Sequence, residues 1–438
     1  MIDAGDANGR SAKAAWKGTT VVSIYISVAA YRDPELAPTL RDCIARARYP
    51  DALRFGICWQ HGEEEAAPPE FADARMRVIA VPWRESRGAC WARAEIMKLW
   101  DGEEFFLQID SHHRFVQDWD ARLLRQAERS GAAKPILSSY AAAYDPGADA
   151  PPAAEPMQMN FDGFTHDGIP LFRPSVIPDW TGFERPLRAR FVSAHFLFTL
   201  GSFVTAVPYD PELYFHGEEI TLSIRAFTHD YELFHPPEPI LWHEYTRAHR
   251  TKHWDDHVRA HGVPREWHEC DGASRQKVRR FLTDPQVGPF GCGTARSFAE
   301  YEAYAGLSFR HLAVQDATLQ GKEPPNAPAS PDWPTQVREW PMRVVLDRAA
   351  LPAAALRDPR LWYVGFHDVA DREIFRGDAS GEELRWLIAG DAPQIAIERC
   401  FRSERRPVTW TVWPMGADGE WQQKMVGAVD GTRLREMA

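Results

Sequence analysis

Apolar positions in the first hundred residues alternate between two spacings. Val21 to Val28 is β-branched and nearly continuous in apolar residues, the pattern of a strand buried on both faces. Tyr31-Arg32-Asp33-Pro34 then turns into Glu35 to Arg48, where Leu36, Leu40, Ile44 and Ala47 fall on one helical face. A second strand is predicted from Leu53 to Trp59, ending at Gln60, and a third from Arg77 to Val81. A helix follows around Trp91 to Trp100, and a fourth strand, Glu104 to Ile109, stops at Asp110. Strand and helix alternating at this spacing predict an α/β fold with a parallel, doubly wound sheet, whose ligands gather at the carboxyl ends of the strands. Tyr31, Arg32, Asp33, Gln60 and Asp110 all fall at such ends.

Further along, residues 145–190 are rich in Pro, Gly and Asp and too long for a plain connector, so they are read as a substrate loop or a surface excursion. Phe191 to Val207 is apolar again and predicts a strand and helix, and residues 250–320 read as largely helical. Pro324 to Pro341 holds six prolines, the composition of a stiff linker. Beyond it Arg343 to Leu346, Leu361 to His367, Val408 to Trp413 and Gln422 to Val426 read as strands, with a turn at Asp418-Gly419. The expected organisation is a flexible leader over 1–20, a catalytic domain over 21–323, a linker over 324–341 and a small β-rich accessory domain over 342–438.

A length of 438 residues with 44% hydrophobic and 26% charged residues allows two folded units and excludes a disordered or fibrous chain. The net charge of −11 argues against a general nucleic-acid binder, which needs clustered Lys and Arg, so any bound phosphate must be met by a metal or a few arginines. The six cysteines lack the close spacing of zinc or redox motifs and are read as reduced thiols. The first twenty residues contain no apolar run suited to a signal peptide or membrane span, so the expectation is a soluble, cytoplasmic protein.

Three segments carry chemistry. Phe105 to His112 delivers Asp110 and, two positions on, His112; residues i and i+2 of an extended chain point the same way, so the pair can share one cation. Mn²⁺ accepts carboxylate and imidazole together. Taken alone, the tripeptide also fits an aspartate that merely caps a turn. The second segment is His216-Gly217-Glu218-Glu219-Ile220, in which Gly217 permits a close backbone approach and Glu218 and Glu219 open a helix. The third, Trp242-His243-Glu244, supplies His243 as the chosen third metal ligand, with His113, His216 and His235 as competitors.

In order along the chain, Ser27 to Leu36, Gly88 to Arg93, Gln108 to His112 and His216 to Ile220 resemble the Skp1-type polypeptide α-N-acetylglucosaminyltransferases, glycosyltransferase family 60, across roughly residues 20 to 310. The polypeptide N-acetylgalactosaminyltransferases are similar more distantly; this chain has Glu219 where that group usually has Asn, and lacks its lectin domain. The resemblance implies a GT-A fold and a retaining transfer of N-acetylglucosamine from UDP-GlcNAc to a hydroxyl of a protein, peptide or glycan. It also implies Tyr31, Arg32, Asp33 and Gln60 near the uridine and Arg93 at the diphosphate. Asp110, Ser111 and His112 form the metal and diphosphate signature, with Mn²⁺ or another divalent cation on Asp110, His112 and His243. No side chain announces itself as a covalent nucleophile, which favours front-face attack with Glu218 and Glu219 at the sugar end. Three alternatives stay open: transfer to a glycan or small molecule from UDP-GalNAc or another UDP-sugar, a metal-dependent hydrolase, and a carbohydrate-binding relative without turnover.

Overall fold

The computed structural model describes residues 22–429 apart from 149–150, 166, 247–249, 331–332, 337, 391, 404 and 417–418. The expected leader and Asp418 of the predicted turn lie outside the described residues. The chain divides into two compact units, one of Met1–Met159, Pro174–Ser274 and Val287–Phe298, the other of Asn160–Arg173, Arg275–Gln286 and Ala299–Ala438.

The first unit is built on β1 (Ile24–Tyr31), α1 (Leu36–Ala45), β2 (Leu53–His61), β3 (Met76–Pro82), α2 (Ala89–Met97) and β4 (Phe105–Asp110), close to the spans the pattern predicts. β1 lies between β2 and β4, parallel to both, and β3 extends the sheet beyond β2. Ile24, Ile26 and Val28 join Leu36, Leu40 and Cys43 of α1 in one core, while Tyr25 points the other way and donates from its hydroxyl to Ile96 O of α2 at 2.7 Å. Both faces of β1 are therefore covered, which is why its apolar run does not alternate. Gly56 on β2 is required here, because a Cβ would collide with the Tyr25 hydroxyl. Each Leu, Ile or Phe fully buried in this core contributes about 1.5–3 kcal/mol.

The chain continues through β5 (His113–Phe115), α3 (Trp119–Ser130), β6 (Pro135–Ser138), β7 (Ala142–Ala143), β8 (Met157–Phe164), β9 (Pro170–Val176), β10 (Leu187–Arg188) and β11 (Phe196–Leu200). After α4 (Phe203–Ala206) come α5 (Glu218–Thr228), β12 (Glu232–His235), β13 (Leu241–His243) and α6 (His253–Asp256). The large sheet has eight strands in the order β10-β12-β6-β11-β4-β1-β2-β3. It is mixed rather than all parallel. β11 runs antiparallel to both β4 and β6, with Phe196 opposite Ile109 and Leu200 opposite Phe105. It enters beside the last residues of β4, so the chain returning from the 139–195 excursion crosses the sheet in the reverse sense. Residues 145–190 hold the paired strands β8 and β9 in place of a plain loop. A second, three-stranded ladder sets β13 between β5 and β7, with His243 opposite His113 and Leu241 opposite Phe115.

The stretch 250–320 is less helical than its pattern implies: α6 is followed by helices at Trp267–Thr283, Phe298–Ala305 and Asp316–Leu319, interrupted by a small ladder of β14 (Leu307–Ser308) and β15 (Ala313–Val314). In the second unit β16 (Arg338–Asp347) starts within the proline-rich stretch read as linker. β17 (Leu361–His367), β18 (Glu373–Arg376), β19 (Ala379–Ser380), β20 (Gln394–Ser403), β21 (Thr409–Met415) and β22 (Met425–Ala428) complete the β-rich region. β16 pairs with β20, β21 lies between β17 and β22, and β18 and β19 pair with β17. Val344, Trp362, Val364, Phe366, Ile395, Ile397 and Val412 form its own core. An α/β domain on a large central sheet is the architecture the GT-A resemblance implies, and the β-rich region after it is the one the strand pattern predicts. Among the described residues no helix is long and apolar enough to cross a membrane, and all six cysteines are free.

Candidate active site

β4 ends at Asp110, level with Ala29 of β1, and the chain bends through Ser111 and His112 into β5. Thr39 of α1 pins this bend: its hydroxyl accepts from His113 N at 2.9 Å and lies 2.9 Å from Ser111 O. β13 then lays His243 against His113. Nε2 of His112 and Nε2 of His243 lie 3.6 and 3.5 Å from the same oxygen of Asp110, and one ligand atom from each residue falls within 4.8 Å of the others. Asp110 and His112 thus share a side of the chain, as i and i+2 should, and His243 joins them from 131 positions after His112.

The surroundings prepare these atoms. Nδ1 of His112 lies 2.7 Å from Asp33 Oδ2, an oxygen that accepts from Ser111 Oγ at 2.6 Å, and 2.7 Å from Arg250 Nη1, which can only donate. With the proton on Nδ1, Nε2 of His112 carries a lone pair, and that buried atom has no hydrogen-bond partner among the described residues. A carboxylate behind a histidine in this way fixes the ring and raises its basicity toward a metal. The arrangement of a partly exposed carboxylate and two imidazoles, one with an unpartnered inward nitrogen, fits a divalent cation of the Mn²⁺ kind. Burial pushes the Asp33 carboxyl up, but the bonds from His112 and Ser111 and the Arg250 charge outweigh it and bring it down to about 2. Asp110 is held well below the usual range: burial opposes ionisation, and the His243 bond with the Arg93 charge overcomes it. Burial lowers His243, His113 and His195 well below an ordinary imidazole, so they are neutral at neutral pH and keep their lone pairs.

Arg93 lies beneath this group and is 3% exposed. It donates to Asp110 Oδ1 at 2.6 Å and, through its other terminal nitrogen, to Glu218. Gly217 (φ 87°) precedes α5, and Glu218 and Glu219 are the first two residues of that helix, as expected. Glu219 faces a different set: Oε1 accepts from Ala194 N at 3.1 Å, and Oε2 lies 3.4 Å from the Tyr140 hydroxyl. Its burial, opposed by these bonds, leaves the carboxyl raised to about 7.

The remaining predicted residues form a separate group at the ends of β1 and β2. The Tyr31 hydroxyl and the Arg32 guanidinium both reach Asp256 Oδ2, at 3.0 and 2.6 Å. Tyr31 stacks on His253 with 3.6 Å between ring centres, and Arg32 N donates to Gln60 O at 2.9 Å. Gln60 is 1% exposed, donates to Ala30 O and accepts from Ser86 Oγ, which lies 2.9 Å from His253 Nε2.

Of the competing histidines, His113 turns Nδ1 to Trp242 O at 2.8 Å. His235 places its Nδ1 2.6 Å from Ser138 O and accepts from Met159 N. The ring of His216 lies beside Phe215, at the turn before α5. Sequence reasoning missed Arg250, Asp256, His253 and His195. Arg250 reaches Asp33 at 3.4 Å, and the His195 ring lies 4.4 Å from that of His243. None sits in a spacing pattern of its own; the one available signal was the position of His195 at the start of the apolar run that becomes β11.

The family model described as Glycosyltransferase (GlcNAc) matches residues 23–74 and 67–311. Among solved structures the chain is similar to GalNAc-T7 with UDP, GalNAc and Mn²⁺, at 15% identity and a TM-score of 0.42, over 64% of this chain and 56% of that one. It is similar also to residues 1–349 of S. aureus TarS in complex with UDP-GlcNAc, at 10% identity and a TM-score of 0.34, over 59% and 73% of the two chains. The chain therefore spans little more than half of GalNAc-T7. No curated protein matches it. The family match covers the sheet, the Asp110–His112–His243 group and α5 together, and the chain belongs to the Glycosyltransferase (GlcNAc) family of transferase enzymes.

Proposed function

We propose that this chain transfers N-acetylglucosamine from UDP-GlcNAc to a hydroxyl of a protein or peptide, Ser, Thr or hydroxyproline, with retention at the anomeric carbon, as in the Skp1-type family it resembles. The observation that carries this reading is the convergence of Asp110, His112 and His243 at the carboxyl end of β4, inside the matched region. A divalent cation held by these three, of which Mn²⁺ suits the donors best, would neutralise the diphosphate and stabilise UDP as it leaves. The chain's own residues supply position. Asp33 and Ser111 orient His112, Arg93 braces Asp110, and the Tyr31, Arg32 and Gln60 group faces the uridine. Glu218 and Glu219 act at the sugar end, where preorganised charge lowers the barrier for an acceptor attacking from the face that UDP leaves. The β-rich region after residue 341 recruits the acceptor. Six free thiols fit work in a reducing cytoplasm.

Incubation with UDP-GlcNAc, Mn²⁺ and a panel of peptide and glycan acceptors tests the reading. Expected are Mn²⁺-dependent release of UDP and an α-linked product on the peptide. His243→Ala should lose Mn²⁺ and UDP binding together, and full Mn²⁺-dependent turnover in that variant would remove His243 from the cation.

A further inference from the structure

His195 stands at the head of β11, 7% exposed, and nothing above gives it a role. Its ring is held on several sides: 4.4 Å from His243, 5.7 Å from His113, 5.9 Å from Tyr245, and nearly parallel to Tyr140 at 5.5 Å. The Ser193 hydroxyl lies 2.8 Å from its Nδ1. When the Ser193 oxygen accepts from Nδ1–H of His195, the lone pair is left on Nε2. That Nε2 is buried and has no hydrogen-bond partner among the described residues. An unpartnered buried acceptor is destabilising, so a site that keeps one oriented is prepared for a donor group from a ligand.

What that group belongs to follows from the neighbour. His195 packs directly on His243, and a cation on His243 would sit against the diphosphate. That diphosphate is bonded to ribose on one side and the pyranosyl ring on the other; with the uridine read at the ends of β1 and β2, the pyranosyl ring falls across β4, where β11 lies. Resting on the reading of this cleft as a UDP-sugar site, we propose that His195, oriented by Ser193, accepts a hydrogen bond from a hydroxyl of the donor's sugar and so reads which sugar is carried.

The test is calorimetric, on the full chain with Mn²⁺, and needs no turnover. UDP, UDP-GlcNAc and its 3-, 4- and 6-deoxy analogues are titrated into wild type, His195→Ala, His195→Gln and Ser193→Ala, each checked for folding by thermal melting. Expected in wild type is one deoxy analogue that binds roughly tenfold more weakly than UDP-GlcNAc, the scale of one hydrogen bond to a neutral partner. In His195→Ala the affinity for UDP-GlcNAc should drop by the same factor, while that deoxy analogue and UDP bind as in wild type. His195→Gln, which restores an acceptor oxygen, should recover part of the loss, and Ser193→Ala should fall between. Equal loss for UDP and UDP-GlcNAc in His195→Ala overturns the inference and makes the ring a support for His243. Equal loss for UDP-GlcNAc and all three analogues, with UDP unchanged, also overturns it, because no hydroxyl is then coupled to the ring. Wild-type chain without Mn²⁺-dependent UDP affinity sinks the donor-site reading instead, and this inference with it.

Discussion

Two groups of polar side chains lie at the strand ends of the first unit, and they differ in how completely they satisfy themselves. At the ends of β1 and β2, Tyr31, Arg32, Gln60, Ser86, His253 and Asp256 bond to one another or to the backbone. Beyond β4, Nε2 of His112, His113 and His195 and Nδ1 of His243 are buried with no hydrogen-bond partner among the described residues. A closed network is rigid and must yield bonds to admit a ligand, whereas an open one has already met the cost of orienting its donors and acceptors. The histidine end is accordingly where the largest dependence on single side chains should be found.

Asp110→Asn strikes the open end at the carboxylate whose two oxygens face the histidines and Arg93. Transfer should fall roughly 10³-fold, with Mn²⁺ and UDP affinity lost together, as measured by product formation and calorimetry. Retained Mn²⁺ affinity would erase the distinction between the two groups. Glu219→Gln lies one step from the cation, and its expected signature is different: transfer lower by roughly 10²-fold with UDP affinity kept. It also carries a pH signature. The Glu219 carboxyl is raised to about 7 in the folded chain, above its ordinary value of 4.5. The native state therefore holds a proton that the unfolded chain has released, and stability should decline as pH rises from about 4.5 to about 7. Thermal melting of Glu219→Gln should show a flatter curve across that window, and an unchanged curve would take the perturbed carboxyl away from Glu219.

The smallest effect belongs to the closed end. Asp256→Asn weakens the one acceptor shared by Tyr31 and Arg32, but the stack on His253 and the Arg32 N–H bond to Gln60 O remain. UDP affinity should fall only about 3- to 10-fold, on the scale of one neutral hydrogen bond, because Asn keeps an acceptor oxygen, with the Mn²⁺ requirement unchanged. A loss as large as that of Asp110→Asn would show that the closed group is as decisive as the open one.

Much of this was legible in the order of residues. Continuous apolar runs located β1 to β4, helical spacing located α1, and the strand ends named Tyr31, Asp33, Gln60 and Asp110 before any fold was known. The i, i+2 rule joined Asp110 to His112, because direction along an extended chain is a local property. A single remote histidine, His243, could be named from its place after the Gly-Glu-Glu segment. Other parts depended on register across long separations. The reversal of β11 follows from where the excursion of 139–195 re-enters the sheet, and no local pattern encodes that. The partners of Arg93 are 17 and 125 positions away, and the pairing of Arg32 with Asp256 spans 224. His195 gained its setting only when β11 placed it beside β13. Periodicity and residue chemistry determined which side chains are delivered and which way each points. Which of them meet, and which buried atoms are left open, was decided by packing, because contacts between distant segments depend on the geometry of the whole sheet rather than on neighbours in the chain.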